Sequence, residues 1–176
     1  MNVILCGMMG AGKTTVGIKV AEITDKRWYD TDGIIVDRHG KISDIFEFYG
    51  EEHFRKIETG IVRELAAQDD LVISTGGGLV LKNENDEILQ KNGKIVFLRA
   101  SLETLSKRLK VDGQRPLLAS ANTLIDRLKQ LLDERTPVYE KVADYIIDVD
   151  GKTPEEIAEE VIRVCGVPRL KENIKA

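Results

Sequence analysis

Apolar residues arrive in two rhythms along this chain. Short runs at residues 3–6, 27–30, 71–74, 94–98 and 145–149 are bounded by glycine or polar residues. Such runs predict strands, and the unbroken ones predict strands covered on both faces. Elsewhere apolar residues recur at helical spacing. Val16, Val20 and Ile23 share one face of a helix predicted over 13–24. Residues 31–65 predict helices broken at Gly40 and Gly50, the last carrying Phe54, Ile57, Ile61 and Leu65 on one stripe. Helices are also predicted over 83–92, stopped by Gly93, and over 101–109, capped by Ser101. A longer one spans 124–142, where Pro137 is expected to kink or break it. Thr153-Pro154-Glu155-Glu156 forms a capping box with proline at the first helical position, and the helix it opens stops at Gly166.

Strands alternating with helices predict an α/β fold of three layers: a five-stranded parallel sheet with helices on both faces and right-handed crossovers. No repeat or linker interrupts it, so residues 1–176 read as a single domain. The charged tail, 169–176, is expected to fray. The polar stretch 110–122 has no periodicity and reads either as an active-site lid or as a plain surface loop.

Composition narrows the function classes. Hydrophobic residues make up 42% and charged residues 32%, with a net charge of −4. That is a globular chain, and its acidity speaks against a duplex-binding surface, so no nucleic-acid partner is expected. No apolar run approaches the ~20 residues that span a bilayer, and the N-terminus lacks a basic signal-peptide region. No membrane partner and a cytoplasmic location are therefore expected. Two cysteines and two histidines are too few for a disulfide framework or a Cys/His zinc site. Cys6 and Cys165 are expected to be reduced and packed, and His39 and His53 to carry no ligand role.

The strongest chemical signal is Gly7-Met8-Met9-Gly10-Ala11-Gly12-Lys13-Thr14, between a predicted strand and a predicted helix. Glycines let successive backbone N–H groups close around phosphate oxygens, and the helix N-terminus adds its dipole. Lys13 supplies a mobile positive charge for the outer phosphates, and the Thr14 hydroxyl can ligate Mg²⁺. Asp30 and Asp32 end the second strand, on the edge that the phosphate loop shares. Asp30 can support a metal through water and Asp32 can accept a hydrogen bond from a substrate hydroxyl. Equally, either carboxylate can simply cap the next helix. Asp30-Thr31-Asp32-Gly33 also fits the Asp-x-x-Gly of regulatory GTPases, but no guanine-reading Asn-Lys-x-Asp follows.

Arg55 and Glu58 are i, i+3 neighbours, read as a held guanidinium for an anionic group or as an ordinary surface pair. Gly76-Gly77-Gly78 exceeds what one turn needs and points to close backbone approach by a ligand. Arg115 lies in the polar stretch, where a closing lid would bring its charge to a transferring phosphoryl group.

Taken together, these residues resemble the shikimate kinase family, over about residues 1–165. The phosphate loop with Thr15 and Gly17, and Asp30-Thr31-Asp32, match its patterns. So do Ile45-Phe46, Gly50-Glu51 and Phe54-Arg55-x-x-Glu58, then Ser74-Thr75-Gly76-Gly77-Gly78, Arg115-Pro116-Leu117-Leu118 and Arg135-x-Pro137-x-Tyr139. The resemblance implies a fold like that of nucleoside monophosphate kinases, with substrate-binding helices over about 31–66 and a mobile lid over about 110–122. It implies ATP-dependent phosphorylation of the 3-hydroxyl of shikimate, with Mg²⁺, by a monomer. Lys13, Asp32 and Arg115 would be catalytic. ATP would lie on Gly10, Ala11, Gly12, Lys13, Thr14, Thr15, Arg108, Arg115, Lys152 and Pro154. Shikimate would meet Asp32, Phe46, Phe54, Arg55, Gly76, Gly77, Gly78 and Arg135, and the metal would meet Thr14 and, through water, Asp30. Lys152 departs from the arginine common at its position. Two other readings stay open: a gluconate or nucleoside monophosphate kinase of the same architecture, and a nucleotide-binding regulatory module without transfer activity.

Overall fold

The structure, a computed structural model, describes residues 1–111 and 121–170, with side chains over 1–109 and 124–170. Strand β1 (Asn2–Cys6) is buried at every position. It pairs on one side with β3 (Leu71–Ser74) and on the other with β4 (Gly93–Arg99). Strands β2 (Arg27–Asp30) and β5 (Tyr145–Asp148) form the edges, giving the parallel order β2-β3-β1-β4-β5. The most apolar runs take the middle of the sheet, where helices cover both faces. Asn2 joins the central strand because both ends of its amide are bonded. Its Nδ2 donates to Gln68 O at 2.8 Å, and its Oδ1 accepts from Leu71 N at 3.0 Å.

Helix α1 (Lys13–Thr24) leaves the phosphate loop and packs against β3 and the last helix, α7 (Pro154–Cys165). Gly17 makes that approach close: a Cβ there would lie 2.6 Å from both Ser74 Oγ and Trp28 Nε1. Those two atoms are hydrogen-bonded at 3.0 Å, and Ser74 Oγ donates onward to Lys13 O at 2.9 Å. Strand ends β2 and β3 are thereby tied to the first turn of α1.

Helix α2 (Thr31–His39) ends at Gly40, and α3 (Ile42–Ala66) bends at Gly50, whose φ of 80° leaves the helical region. Both breaks fall where the sequence places them. Helices α4 (Asn83–Asn92), α5 (Leu102–Val111) and α6 (Ala121–Val142) complete the layers, with a 3₁₀ turn over Leu79–Leu81. The capping box of α7 is present in both directions, Glu156 N to Thr153 Oγ1 and Thr153 N to Glu156 Oε2.

One expectation needs correction. Pro137 does not break α6, which runs through it. Leu128 and Leu131 before the proline and Tyr139 and Val142 after it are all buried, so packing keeps both halves helical. Gly93 is the first residue of β4 as well as the stop of α4. Of the tail expected to fray, Arg169 pairs with Glu159 and Leu170 N donates to Ile23 O at 2.9 Å, while residues 171–176 lie outside the described residues. The expected lid lies within 110–122 and, with Arg115, outside the described residues apart from the ends of α5 and α6.

Candidate active site

The C-terminal ends of β1, β2 and β3 meet at one edge of the sheet, and the chemistry-bearing residues gather there. Gly10 and Gly12 sit at φ 81° and 96°, in the left-handed region that glycine enters without a Cβ penalty. Their loop leads directly into α1, so free backbone N–H groups and the helix dipole face the same side. Lys13 Nζ folds back onto Gly7 O at 2.8 Å and Met8 O at 2.9 Å. Burial lowers its pKa to about 8, against the upward pull of Cys6, Asp32 and Asp30, while Arg135 adds to the lowering. Lys13 thus senses both strand-end carboxylates and a guanidinium from α6. Beneath it, burial pushes the Cys6 thiol up to about 12, so this cysteine stays a packed thiol.

Asp30 is a helix cap with one oxygen and faces the phosphate loop with the other. Oδ1 caps α2, accepting from Asp32 N at 2.9 Å and Gly33 N at 3.2 Å. Oδ2 accepts from Thr14 Oγ1 at 2.9 Å. A hydroxyl and a carboxylate oxygen held together at a phosphate loop are the hard oxygen donors that Mg²⁺ takes alongside nucleotide oxygens and water. The residues present therefore fit that ion.

The glycine triplet follows β3. Thr75 anchors it through its N–H and hydroxyl, both donating to Leu5 O, at 3.0 and 3.1 Å. Gly76 N donates to Thr31 Oγ1 at 2.9 Å. Each glycine then lies under a different charged side chain. A Cβ on Gly76 would overlap the Asp32 carboxylate. One on Gly77 would lie 3.3 Å from Arg135 Nη1, and one on Gly78 would lie 2.9 Å from Arg55 Nη1. Asp32 from α2, Arg55 from α3 and Arg135 from α6 thus converge on one strip of bare backbone.

The Arg55–Glu58 contact is no surface pair. Nη1 donates to Glu58 Oε2 at 2.6 Å, and the Glu58 side chain is 2% exposed. A second carboxylate, Glu51, accepts from Nη2 at 3.2 Å, and the guanidinium lies 5.3 Å from the Phe54 ring centroid. Burial pulls the Arg55 pKa down, but the hydrogen bonds and charges of Glu58 and Glu51 more than offset it. Burial also raises the Glu58 pKa, which Arg55 pulls back only in part. The guanidinium is fixed from one side and open on the other. Phe54 is buried, and the half-open Phe46 ring stacks on it at 4.6 Å.

One comparison decides the family. The family model described as shikimate kinase matches residues 9–166. The chain belongs to the shikimate kinase family. The shikimate kinase of Streptococcus gordonii is 46% identical over 162 residues, 90% of this chain and 97% of that protein. The shikimate kinase of Acinetobacter baumannii, solved in complex with shikimate, superposes with a TM-score of 0.85 at 37% identity. It covers 93% of this chain and 91% of its own. That of Bacteroides thetaiotaomicron gives 0.86 at 33% identity, over 93% and 97%. Membership in the shikimate kinase family makes the chain a phosphotransferase, and the family's activity is ATP-dependent phosphorylation of shikimate.

The other shikimate kinase positions fall as follows. Ala11 is buried in the loop and donates to Met8 O, while Thr15 is exposed on the first turn of α1. Arg108, from α5, reaches over the phosphate loop and donates to Gly10 O at 3.0 Å. The turn after β5 comes close enough for Asp150 to feel its charge: hydrogen bonds from Ser101 lower the Asp150 pKa first, and Arg108 adds to it. Pro154 opens α7. The Lys152 ammonium is paired with Glu160 at 2.6 Å. Two residues matter more than the sequence indicates. Glu58 is the buried anchor of Arg55, a signal present only as i, i+3 spacing. Tyr139, on α6, is wholly buried beside the triplet.

Proposed function

We propose that this chain transfers the terminal phosphoryl group of ATP to the 3-hydroxyl of shikimate. The supporting observation is the strip Gly76-Gly77-Gly78, overhung by Asp32, Arg135 and Arg55 beside the phosphate loop. A polyhydroxy carboxylate needs cations for its carboxylate, an anionic acceptor for its hydroxyls and bare backbone for close approach, and the strip offers all three.

Roles follow from chemistry. Arg55 and Arg135 clamp the carboxylate, as planar forks suited to two oxygens. Asp32 accepts a hydrogen bond from the reacting hydroxyl and orients its oxygen toward the phosphoryl group. The phosphate loop holds ATP, with Lys13 on the outer phosphates, and Arg108 covers the nucleotide side. Arg115, by family resemblance, brings a second positive charge to the transferring group. Mg²⁺, held by Thr14 with Asp30 behind it, would neutralise phosphate oxygens when bound. Such transfer rests on positioning and charge neutralisation more than on covalent chemistry by the protein. No helix of the described residues is long and apolar enough to cross a membrane.

The test is ADP release from Mg-ATP with shikimate, gluconate and nucleoside monophosphates offered one at a time. Turnover on shikimate alone is expected. Turnover on another acceptor without shikimate would reassign the strip, and ATP binding with no transfer to any of them would favour a regulatory module.

A further inference from the structure

Tyr139 is among the largest fully buried side chains of the described residues. Its ring packs on Phe97 with centroids 5.0 Å apart. Filling that space needs only a phenyl group, so the hydroxyl is surplus to packing, and a buried hydroxyl costs stability unless it is bonded. Here it is bonded: it donates to Gly77 O at 2.5 Å. The Arg135 guanidinium, from the preceding turn of α6, lies over the same glycine and bears on the phenol electrostatically. Met8 Sδ, in the phosphate loop, lies 4.0 Å away.

The carbonyl it holds is the significant one. The described residues contain no cis peptide bonds, so the Gly77 carbonyl and the Gly78 N–H point in opposite directions. With the carbonyl drawn into the core, the N–H turns outward. Neither glycine has a side chain to oppose rotation of that peptide plane. We propose that Tyr139 is a positioning residue, which fixes the Gly77–Gly78 peptide and the Arg135 guanidinium together so that both face the acceptor's carboxylate. The assignment deepens the acceptor reading given above and rests on it. Burial pushes the phenol up to about 12 against the charge of Arg135, with Cys6 adding to the rise, so it remains a donor at neutral pH.

The test is Tyr139→Phe, which keeps the ring. The expected result is a shikimate KM raised roughly 10- to 100-fold by loss of one buried hydroxyl, with the ATP KM within about twofold. With a shikimate analogue lacking the carboxylate, variant and wild type should converge. A shikimate KM within about twofold of wild type, or equal rises in both KM values, would overturn the proposal. If Tyr139→Phe does not fold, difluorotyrosine at 139 keeps ring and hydroxyl while acidifying the phenol. It should move the alkaline limb of kcat/KM for shikimate to lower pH relative to wild type and leave that for ATP in place; an unmoved limb overturns the assignment. Wild-type turnover on shikimate tests the acceptor reading separately. Should another anionic acceptor be the one used, the same ratio of KM values is measured on it.

Discussion

Lys13 is held at a cost that ligand binding should relieve. Its pKa falls from 10.5 to about 8, which at roughly 1.4 kcal/mol per pH unit is ~3 kcal/mol. The residue is partly open to solvent, so screening reduces this to ~2 kcal/mol. The direction follows from proton counts. Below pH 8 both folded and unfolded chains carry the proton, and the full cost of enclosing the charge is present. Between pH 8 and 10.5 the unfolded chain binds more protons, so stability rises with pH. Lys13→Met lacks this dependence. In urea unfolding of the nucleotide-free proteins, the variant should be more stable than wild type near pH 7 by ~2 kcal/mol. That gap should close as pH rises toward 10.5. Taking the difference between the two proteins cancels the titration of groups that do not interact with Lys13. Saturating Mg-ATP should reverse the order, since a ligand at about 100 times its Kd stabilises by ~2.7 kcal/mol and the variant loses the phosphate contact. Turnover should fall by on the order of 10³-fold. A gap independent of pH would refute the claim that the ammonium is penalised by enclosure in the loop.

Three further variants probe the acceptor strip. Arg135→Ala should raise the shikimate KM roughly 10- to 100-fold and leave the ATP KM nearly unchanged in steady-state assays; equal effects would remove it from the carboxylate clamp. Asp32→Asn should lose most of kcat while Mg-ATP affinity by titration calorimetry holds, and near-normal turnover would exclude Asp32 from the chemical step. Gly76→Ala places a methyl group inside the Asp32 carboxylate, so kcat should fall with the melting temperature little changed. Full activity there would show that Asp32 works from another position.

The fold was open to reading because its strands are short apolar runs and its helices carry apolar stripes, both local signals. Gly40 and Gly50 break the chain where expected for the same reason. The phosphate loop was legible because one segment carries all its parts. What the pattern could not show depends on docking between distant segments. Asp30 reads as cap or metal support because nothing in Asp30-Thr31-Asp32 says that its second oxygen meets Thr14, sixteen residues upstream. Arg55 and Glu58 show their spacing but not the burial of Glu58, which turns a surface pair into a fixed guanidinium. Pro137 misleads because local propensity forecasts a break while buried neighbours on both sides keep the helix continuous. Tyr139 stands in the motif with Arg135, yet its partner Gly77 lies 62 residues away in sequence.

The floor of the acceptor strip is defined by atoms that are missing. Each absent Cβ in the triplet is space already claimed by a charged group from a separate helix, so enlarging any floor position displaces one arm of the site. Acceptor preference can therefore drift or be redesigned only through the arms, on α2, α3 and α6, whose side chains can lengthen, shorten or change sign while the backbone beneath them stays bare. A mutational library aimed at new acceptors should hold residues 76–78 constant and diversify around positions 32, 55 and 135.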